Sequence, residues 1–533
     1  MCLKNSRRDF LEKTWKLTSL GGAGLLTAGG SPGSSGMIRS SIAQYRPSGA
    51  AGEIRPQRYY RPADGTLGDP IPFFWKGHYH IFHVGGGQWE HLVSEDLLRW
   101  RELPTAISRG VPGEPDSSQC ASGSIIHRQG TFHIFYLGRS EKDGRRIGTV
   151  CHATSRDLVH WEKDPANPLL RPDYENYAGV TKDPFVFWNA QDQRYWMLIA
   201  DRLRHAPTSR KGVLALATSP DLQRWQRRQE PFWAPDSSTG EFEVPDLFEW
   251  NRRYYLTYTT YMESTGTHYR VADQASGPWL APAVDSFDDH LYYAGKTVSD
   301  GKRRLAFAFV RGAGAGPGVA PADRKQALIT REVLQKPDGS LAFKCPQELL
   351  DCCGPELPLK FEGLLGHWSQ QDRRAHARRL DGLAYAVTEP VAPDGLLELV
   401  LTLKPKTRSA GIFFRTTGDL ERGYMLRLEP SRGRIVFERW PKSWPWKQEF
   451  WRNIGAARGT HPFMVQRTVL PEQFSWERPV TVQLFLQGTI AEVFVNQELA
   501  LVARIYEHRD GCLALFVEHG EADFEGMTFR PLP

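Results

Sequence analysis

The chain has 533 residues, 40% hydrophobic and 24% charged, with a formal net charge of +6. That length exceeds what one hydrophobic core supports, so two domains are expected, and so mild a charge gives no ground for nucleic-acid binding. Aromatics reach 12%, including 17 Trp, a composition that suits stacking on sugar rings and equally suits core packing. The densest basic run (Arg373, Arg374, His376, Arg378, Arg379) has no interleaved aromatics and reads as a solvated face. The 7 Cys include no CxxC pair, so no zinc site is expected, nor any other metal or cofactor.

In chain order, the first signal is NSRRDFLEKT, from Asn5, followed by the weakly apolar, Gly-rich LTSLGGAGLLTAGG. The order Ser-Arg-Arg-x-Phe-Leu resembles a twin-arginine export signal, and the apolar run is too short to span a bilayer. Residues 1–43 are therefore expected to be signal and spacer, with the Ser-Ile-Ala at 41–43 one option for the cut. The mature protein is expected in the periplasm or outside the cell, with no membrane segment.

Next comes a repeat. Ser-x-Asp-Leu-x-x-Trp occurs at Ser94, Ser155 and Ser219, each time after an aromatic strand: GHYHIFHV from Gly77, GTFHIFYLG from Gly130, QRYWMLIA from Gln193. A fourth strand, RRYYLTYTTY from Arg252, precedes the degenerate phrase SGPW, and a fifth unit holds HLYYAGKTV and RRLAFAFVRG. Short strands rich in Tyr, Phe, Val and Ile, set in units of roughly 50 to 60 residues, are the mark of propeller blades. The fold class is therefore all-β, with a five-bladed β-propeller over residues 55–340. In each phrase the Asp is expected to hold a turn while Leu and Trp pack between blades. A connector is expected at 341–375. An antiparallel β-sandwich is expected at 376–533, where strands such as LLELVLTLKP and VTVQLFLQG alternate apolar and polar residues. Packing against the propeller is the first expectation for the stretch ERWPKSWPWKQEFW from Glu438, with sugar binding, a reach over the central funnel and a dimer contact as alternatives.

The innermost strands of a propeller face its central channel, so acidic residues at blade starts converge there. Asp69 in GTLGDPIPFF, Asp183 in VTKDPFVF and Glu243 in EFEVPDLFEW hold such positions, each just ahead of a Pro and an apolar run. Taken singly, each suits the capping of a turn. Taken together, they suit glycoside hydrolysis: one carboxylate attacks, one carboxyl donates a proton, and a third holds sugar hydroxyls. Close carboxylates would also keep the acid protonated near neutral pH.

These residues resemble glycoside hydrolase family 32, the invertase, inulinase and levanase group, over most of the chain after the signal. The resemblance rests on GDPIPFFWKGHYHIF, WEHLVSEDLLRWRELPTAI, ASGSII, KDP at Lys182, EVPDLF at Glu243, YYAGKTV at Tyr292 and EVFVN at Glu492. It implies Asp69 as nucleophile, Asp183 as transition-state stabiliser and Glu243 as acid/base. It also implies retention of configuration through a covalent fructosyl intermediate, with the two reacting carboxyl groups about 5 to 5.5 Å apart.

The chain departs from the family pattern around these carboxylates. Thr66, Leu67 and Gly68 stand where the family has Trp-Met-Asn, and Ile71 and Pro72 where it has Asn-Gly. Val84 replaces a Gln, and Lys182 replaces the Arg before the stabiliser, losing a two-pronged contact. By position, the candidate sugar contacts are Trp89, Ser122, Ser124 and Lys182. The expected partner is an oligo- or polysaccharide; oligomeric state is not read from the sequence. Three readings compete. The first is a retaining β-fructofuranosidase acting on fructan- or sucrose-like sugars. The others are a related five-bladed arabinofuranosidase and a non-catalytic carbohydrate-binding protein on the same scaffold.

Overall fold

The structure, a computed structural model, describes residues 54–62, 66–235, 239–260, 265–312, 320–441, 465–469 and 475–532. The export signal expected at residues 1–43 and residues 442–451 of the Trp-rich stretch lie outside the described residues.

Five antiparallel sheets follow one another along the chain. The first holds β1 (Gly68–Trp75), β2 (His78–Gly85), β3 (Gln88–Ser94) and β4 (Arg101–Ile107). The second holds β5 (Gln119–Arg128), β6 (Thr131–Lys142), β7 (Arg145–Ser155) and β8 (Trp161–Lys163). The third holds β9 (Lys182–Asn189), β10 (Arg194–Arg202), β11 (Gly212–Ser219) and β12 (Gln226–Arg227). The fourth holds β13 (Glu243–Trp250), β14 (Arg253–Thr260) and β15 (Gly266–Ala272). The fifth holds β16 (Tyr292–Ser299), β17 (Arg304–Val310), β18 (Ala327–Gln335) and β19 (Leu341–Lys344). The first strands β1, β5, β9, β13 and β16 neighbour one another in that order, and β16 returns to β1. This ring is the five-bladed propeller, and its inner strands line the axis.

The repeated phrase closes each blade in one way. Asp96 Oδ1 accepts from the Leu98 and Arg99 N–H groups at 3.0 and 2.7 Å. Asp157 Oδ1 does the same for Val159 and His160, and Asp221 Oδ1 for Gln223 and Arg224. The turn puts Leu97, Leu158 and Leu222 in the left-handed region, at φ 64°, 68° and 71°. Each of these Leu is buried, and its carbonyl accepts the indole N–H of the phrase's own Trp. The Trp then meets a Phe of the preceding blade edge to face: Trp161 on Phe82, Trp225 on Phe135, and Trp100 on Phe307 of the fifth blade. Such edge-on pairs add to the stabilisation from burial itself. The phrase is thus a blade-to-blade clasp, and its Asp residues belong to turns.

The chain after the propeller folds as a sandwich-like assembly built on one antiparallel network. Its strands are β20 (Leu357–Pro358), β21 (Glu362–Leu365), β22 (His367–Gln371), β23 (Arg374–Val387), β24 (Gly395–Leu403), β25 (Ser409–Thr416), β26 (Gly423–Glu429), β27 (Arg434–Trp440), β28 (Val465–Thr468), β29 (Val480–Gln487), β30 (Ile490–Val495), β31 (Leu499–Arg504) and β32 (Cys512–Pro531). The first half of β32 pairs with β25 and its second half with β24, so this one strand passes between the two halves of the assembly. The segment expected as a connector is shorter than 341–375. β19 completes the fifth blade, a short helix α1 (Gln347–Asp351) follows, and β21 and β22 already pair with β23. All six Cys among the described residues are free.

The propeller and this assembly share one apolar core, running from blades one, four and five into the C-terminal strands. A buried ionic cluster pins them together. Glu492, in the EVFVN motif, accepts from Arg58 Nη2 at 2.8 Å, the Tyr59 hydroxyl at 2.9 Å and Arg331 Nε at 2.8 Å. Arg331 also donates to Asp288, whose carboxylate accepts the Val502 N–H.

Candidate active site

Each inner strand begins with the same irregularity. One extra residue is inserted between Gly68 and Ile71, Ala121 and Gly123, Lys182 and Phe185, Glu243 and Asp246, and Tyr293 and Lys296, relative to the strand opposite. A bulge bends its strand and re-aims a side chain. In four blades the second residue of the bulge is left-handed: Asp69 (φ 42°), Asp183 (φ 52°), Val244 (φ 44°) and Ala294 (φ 57°). Backbone of this kind costs about 1–3 kcal/mol per residue and gathers at functional sites. Pro70, Pro184 and Pro245 come next; a bulge leaves that position without a ladder donor to supply, so Pro fits there. Asp69 and Asp183 therefore share one register. Glu243 stands one place earlier, in register with Lys182 and Tyr293.

The bulges bring the three carboxylates into one cluster. Asp183 is buried, and its Oδ2 accepts the Val244 N–H at 3.0 Å, which ties blade three to blade four. Lys182 Nζ donates to Glu243 Oε1 at 2.8 Å, and the Tyr293 hydroxyl from blade five donates to Glu243 Oε2. Burial, then the charges of Asp183 and Glu243, push the Asp69 carboxyl up to about 7, against the opposing pull of Lys182 and Lys296. Burial also raises Asp183, with Lys182 opposing and Glu243 adding to the rise. Burial, with the Glu243 carboxylate beside it, holds the Tyr293 hydroxyl well above the usual phenol range, so Tyr293 acts as a donor. Lys296 is buried, donates to the Pro245 carbonyl at 2.7 Å and lies in the fields of Asp246, Asp183 and Asp69. Two cations therefore sit among acids that would otherwise repel one another.

The four expected sugar contacts divide. Lys182 lies in the cluster. Ser122 is the extra residue of the second blade's bulge, fully buried, and its Oγ has no hydrogen-bond partner among the described residues. Trp89 and Ser124 have work within the scaffold instead. Trp89 is fully buried, with its indole N–H on the Ala121 carbonyl at 2.6 Å, and Ser124 Oγ accepts the Val186 N–H at 3.0 Å. Both thereby join adjacent blades, and Trp89 has no open face for a ligand. Sequence reasoning left Tyr293, Lys296, Glu241 and Arg202 without a role. Glu241 had one faint signal: residues i and i+2 of an extended segment point the same way, and it stands two before Glu243. Among the described residues, no group of three or more His, Cys, Asp or Glu is arranged to hold a metal ion.

The sequence profile of the Glycosyl hydrolases family 32 N-terminal domain matches residues 59–323. The beta-fructofuranosidase insoluble isoenzyme CWINV1 of Arabidopsis thaliana is 31% identical over 204 residues, covering 36% of this chain and 34% of that protein. The beta-fructofuranosidase insoluble isoenzyme 1 of Oryza sativa subsp. indica is 30% identical over 229 residues, covering 39% of this chain and 38% of its own length. The chain thus spans little more than a third of these curated relatives. Among solved structures, an Aspergillus kawachii beta-fructofuranosidase complexed with glycerol superposes with a TM-score of 0.69 at 16% identity, over 91% of this chain and 95% of that one. An exo-inulinase from Aspergillus awamori gives 0.66 at 18% identity, over 91% and 99%. At such identities these likenesses speak for the fold.

Proposed function

Because the chain belongs to glycoside hydrolase family 32 through residues 59–323, we propose that it hydrolyses β-fructofuranosides, fructan- or sucrose-like sugars, by a retaining double displacement. Asp69 attacks the anomeric carbon as the leaving oxygen takes a proton from Glu243. Glu243 then removes a proton from water, which releases the fructosyl group from Asp69. Asp183 holds sugar hydroxyls while positive charge builds on the ring. The Tyr293 hydroxyl and Lys182 fix the Glu243 carboxylate so that its proton is delivered in one direction. An export signal at residues 1–43, with action in the periplasm or outside the cell, belongs to the same proposal.

The observation that carries this reading is the convergence of three acids from blades one, three and four, with Asp69 in the fields of both Asp183 and Glu243. Like charges held this close are costly to a packing role and cluster where carboxylates share a reacting ligand. Product analysis on sucrose, inulin, levan and arabinan, with Glu243→Gln as control, tests the proposal. Release of fructose from one of the first three, cut about a hundred- to ten-thousand-fold in the variant, is expected. Turnover of arabinan alone would contradict it.

A further inference from the structure

Glu241 has no part in the reaction as written. It lies just before β13, is 5% exposed, and pairs through one oxygen with Lys182 Nζ and through the other with Arg202 Nη2. Lys182 Nζ is shared: it also lies 2.8 Å from Glu243 Oε1. The groups form a chain of alternating sign, Arg202–Glu241–Lys182–Glu243, ending on the Tyr293 hydroxyl. Its outer member, Arg202, ends β10 with a side chain 40% exposed, while Lys182 inside is almost fully buried.

An ammonium facing Glu243 alone would favour the ionised carboxylate and work against the proton that Glu243 must donate. Glu241 draws on the same ammonium, and its own negative charge opposes ionisation two residues away. Arg202 in turn neutralises part of Glu241. The other charged or titratable groups facing this cluster are Asp69 from blade one, Arg139 from blade two, Asp183 from blade three, Asp246 from blade four, and Lys296 and Tyr293 from blade five, with the Arg311 guanidinium 4.9 Å over the Tyr293 ring.

We propose that Glu241 is a positioning residue that, by holding the far side of the Lys182 ammonium, sets how readily Glu243 keeps its proton. The catalytic meaning of this inference rests on Glu243 being the acid/base; its electrostatics do not. The test is a ¹³C NMR titration of protein labelled at the glutamate carboxyl carbons, with Glu243 assigned by the signal lost in Glu243→Gln. Glu241→Gln moves the Glu243 midpoint down by about one pH unit. Arg202→Gln, which changes an exposed side chain and keeps the test open if Glu241→Gln fails to fold, moves it up. Glu241→Asp stays near wild type. The alkaline limb of kcat/KM on sucrose follows in the same directions. An unmoved midpoint, or a shift of the same sign in Glu241→Gln and Arg202→Gln, overturns the proposal. If the wild type turns over no β-fructofuranoside, the assigned reaction falls, and the titration still decides the role of Glu241.

Discussion

Asp69 shows what the site costs the fold. Its carboxyl is raised to about 7 in the folded chain from an ordinary value of 3.8. Between those values the native state binds more protons than the unfolded one, so stability falls as pH rises through that window. Asp69→Asn removes the charge and should raise Tm relative to wild type at pH 8, with the gain shrinking toward pH 4. Activity should drop at least about a thousand-fold. Paired thermal scans across pH check this, and an equal effect at all pH values contradicts it. Asp69 and Asp183 were legible because Asp-Pro marks a bulge at the head of an inner strand. Glu243 was legible through Val-Pro, one place displaced. Tyr293, Lys296 and Arg202 were not: they lie 41 to 53 residues from Glu243 along the chain, and only the closed ring brings them to it.

At the scale of the element, the Ser-x-Asp-Leu-x-x-Trp clasp holds the ring. Asp157 accepts two turn N–H groups, and the Ser155 hydroxyl accepts the Asp157 and Leu158 N–H groups. Asp157→Ala leaves those donors without their acceptor, and by analogy with a lost helix cap it should cost about 1–2 kcal/mol. The expected outcome is a Tm lower by a few degrees with KM unchanged; a changed KM with unchanged Tm would contradict the role. The phrase could be read from sequence because its hydrogen bonds are local and the Asp-to-turn pair recurs in all three copies. Element limits were harder. Leu341–Lys344 belongs to blade five only because it pairs with Leu334 and its neighbours. Cys512–Pro531 runs as one strand of 20 residues because partners line both its edges along its length. Neither pairing leaves a local signature.

At the scale of the molecule, the propeller and the C-terminal assembly are tied by Glu492 between Arg58 and Arg331, with all three side chains nearly inaccessible. Removing one partner of a buried ion pair leaves an uncompensated charge and costs about 3–5 kcal/mol. Glu492→Gln should therefore lower stability by that order. Because the shared core continues across the junction, calorimetry should still record one transition for both parts; two separate transitions in the wild type would contradict a shared core. In the proposed mechanism Asp69, Asp183 and Glu243 act on one sugar ring, with Asp69 forming the bond. Glu243→Gln incubated with an aryl β-fructofuranoside bearing a good leaving group needs no acid for the first step and lacks the base for the second, so the intermediate accumulates. Mass spectrometry of the digested protein should then find one added fructosyl unit on the peptide containing Asp69. An adduct on any other carboxylate, or none while the aryl group is released at the wild-type rate, would contradict the account.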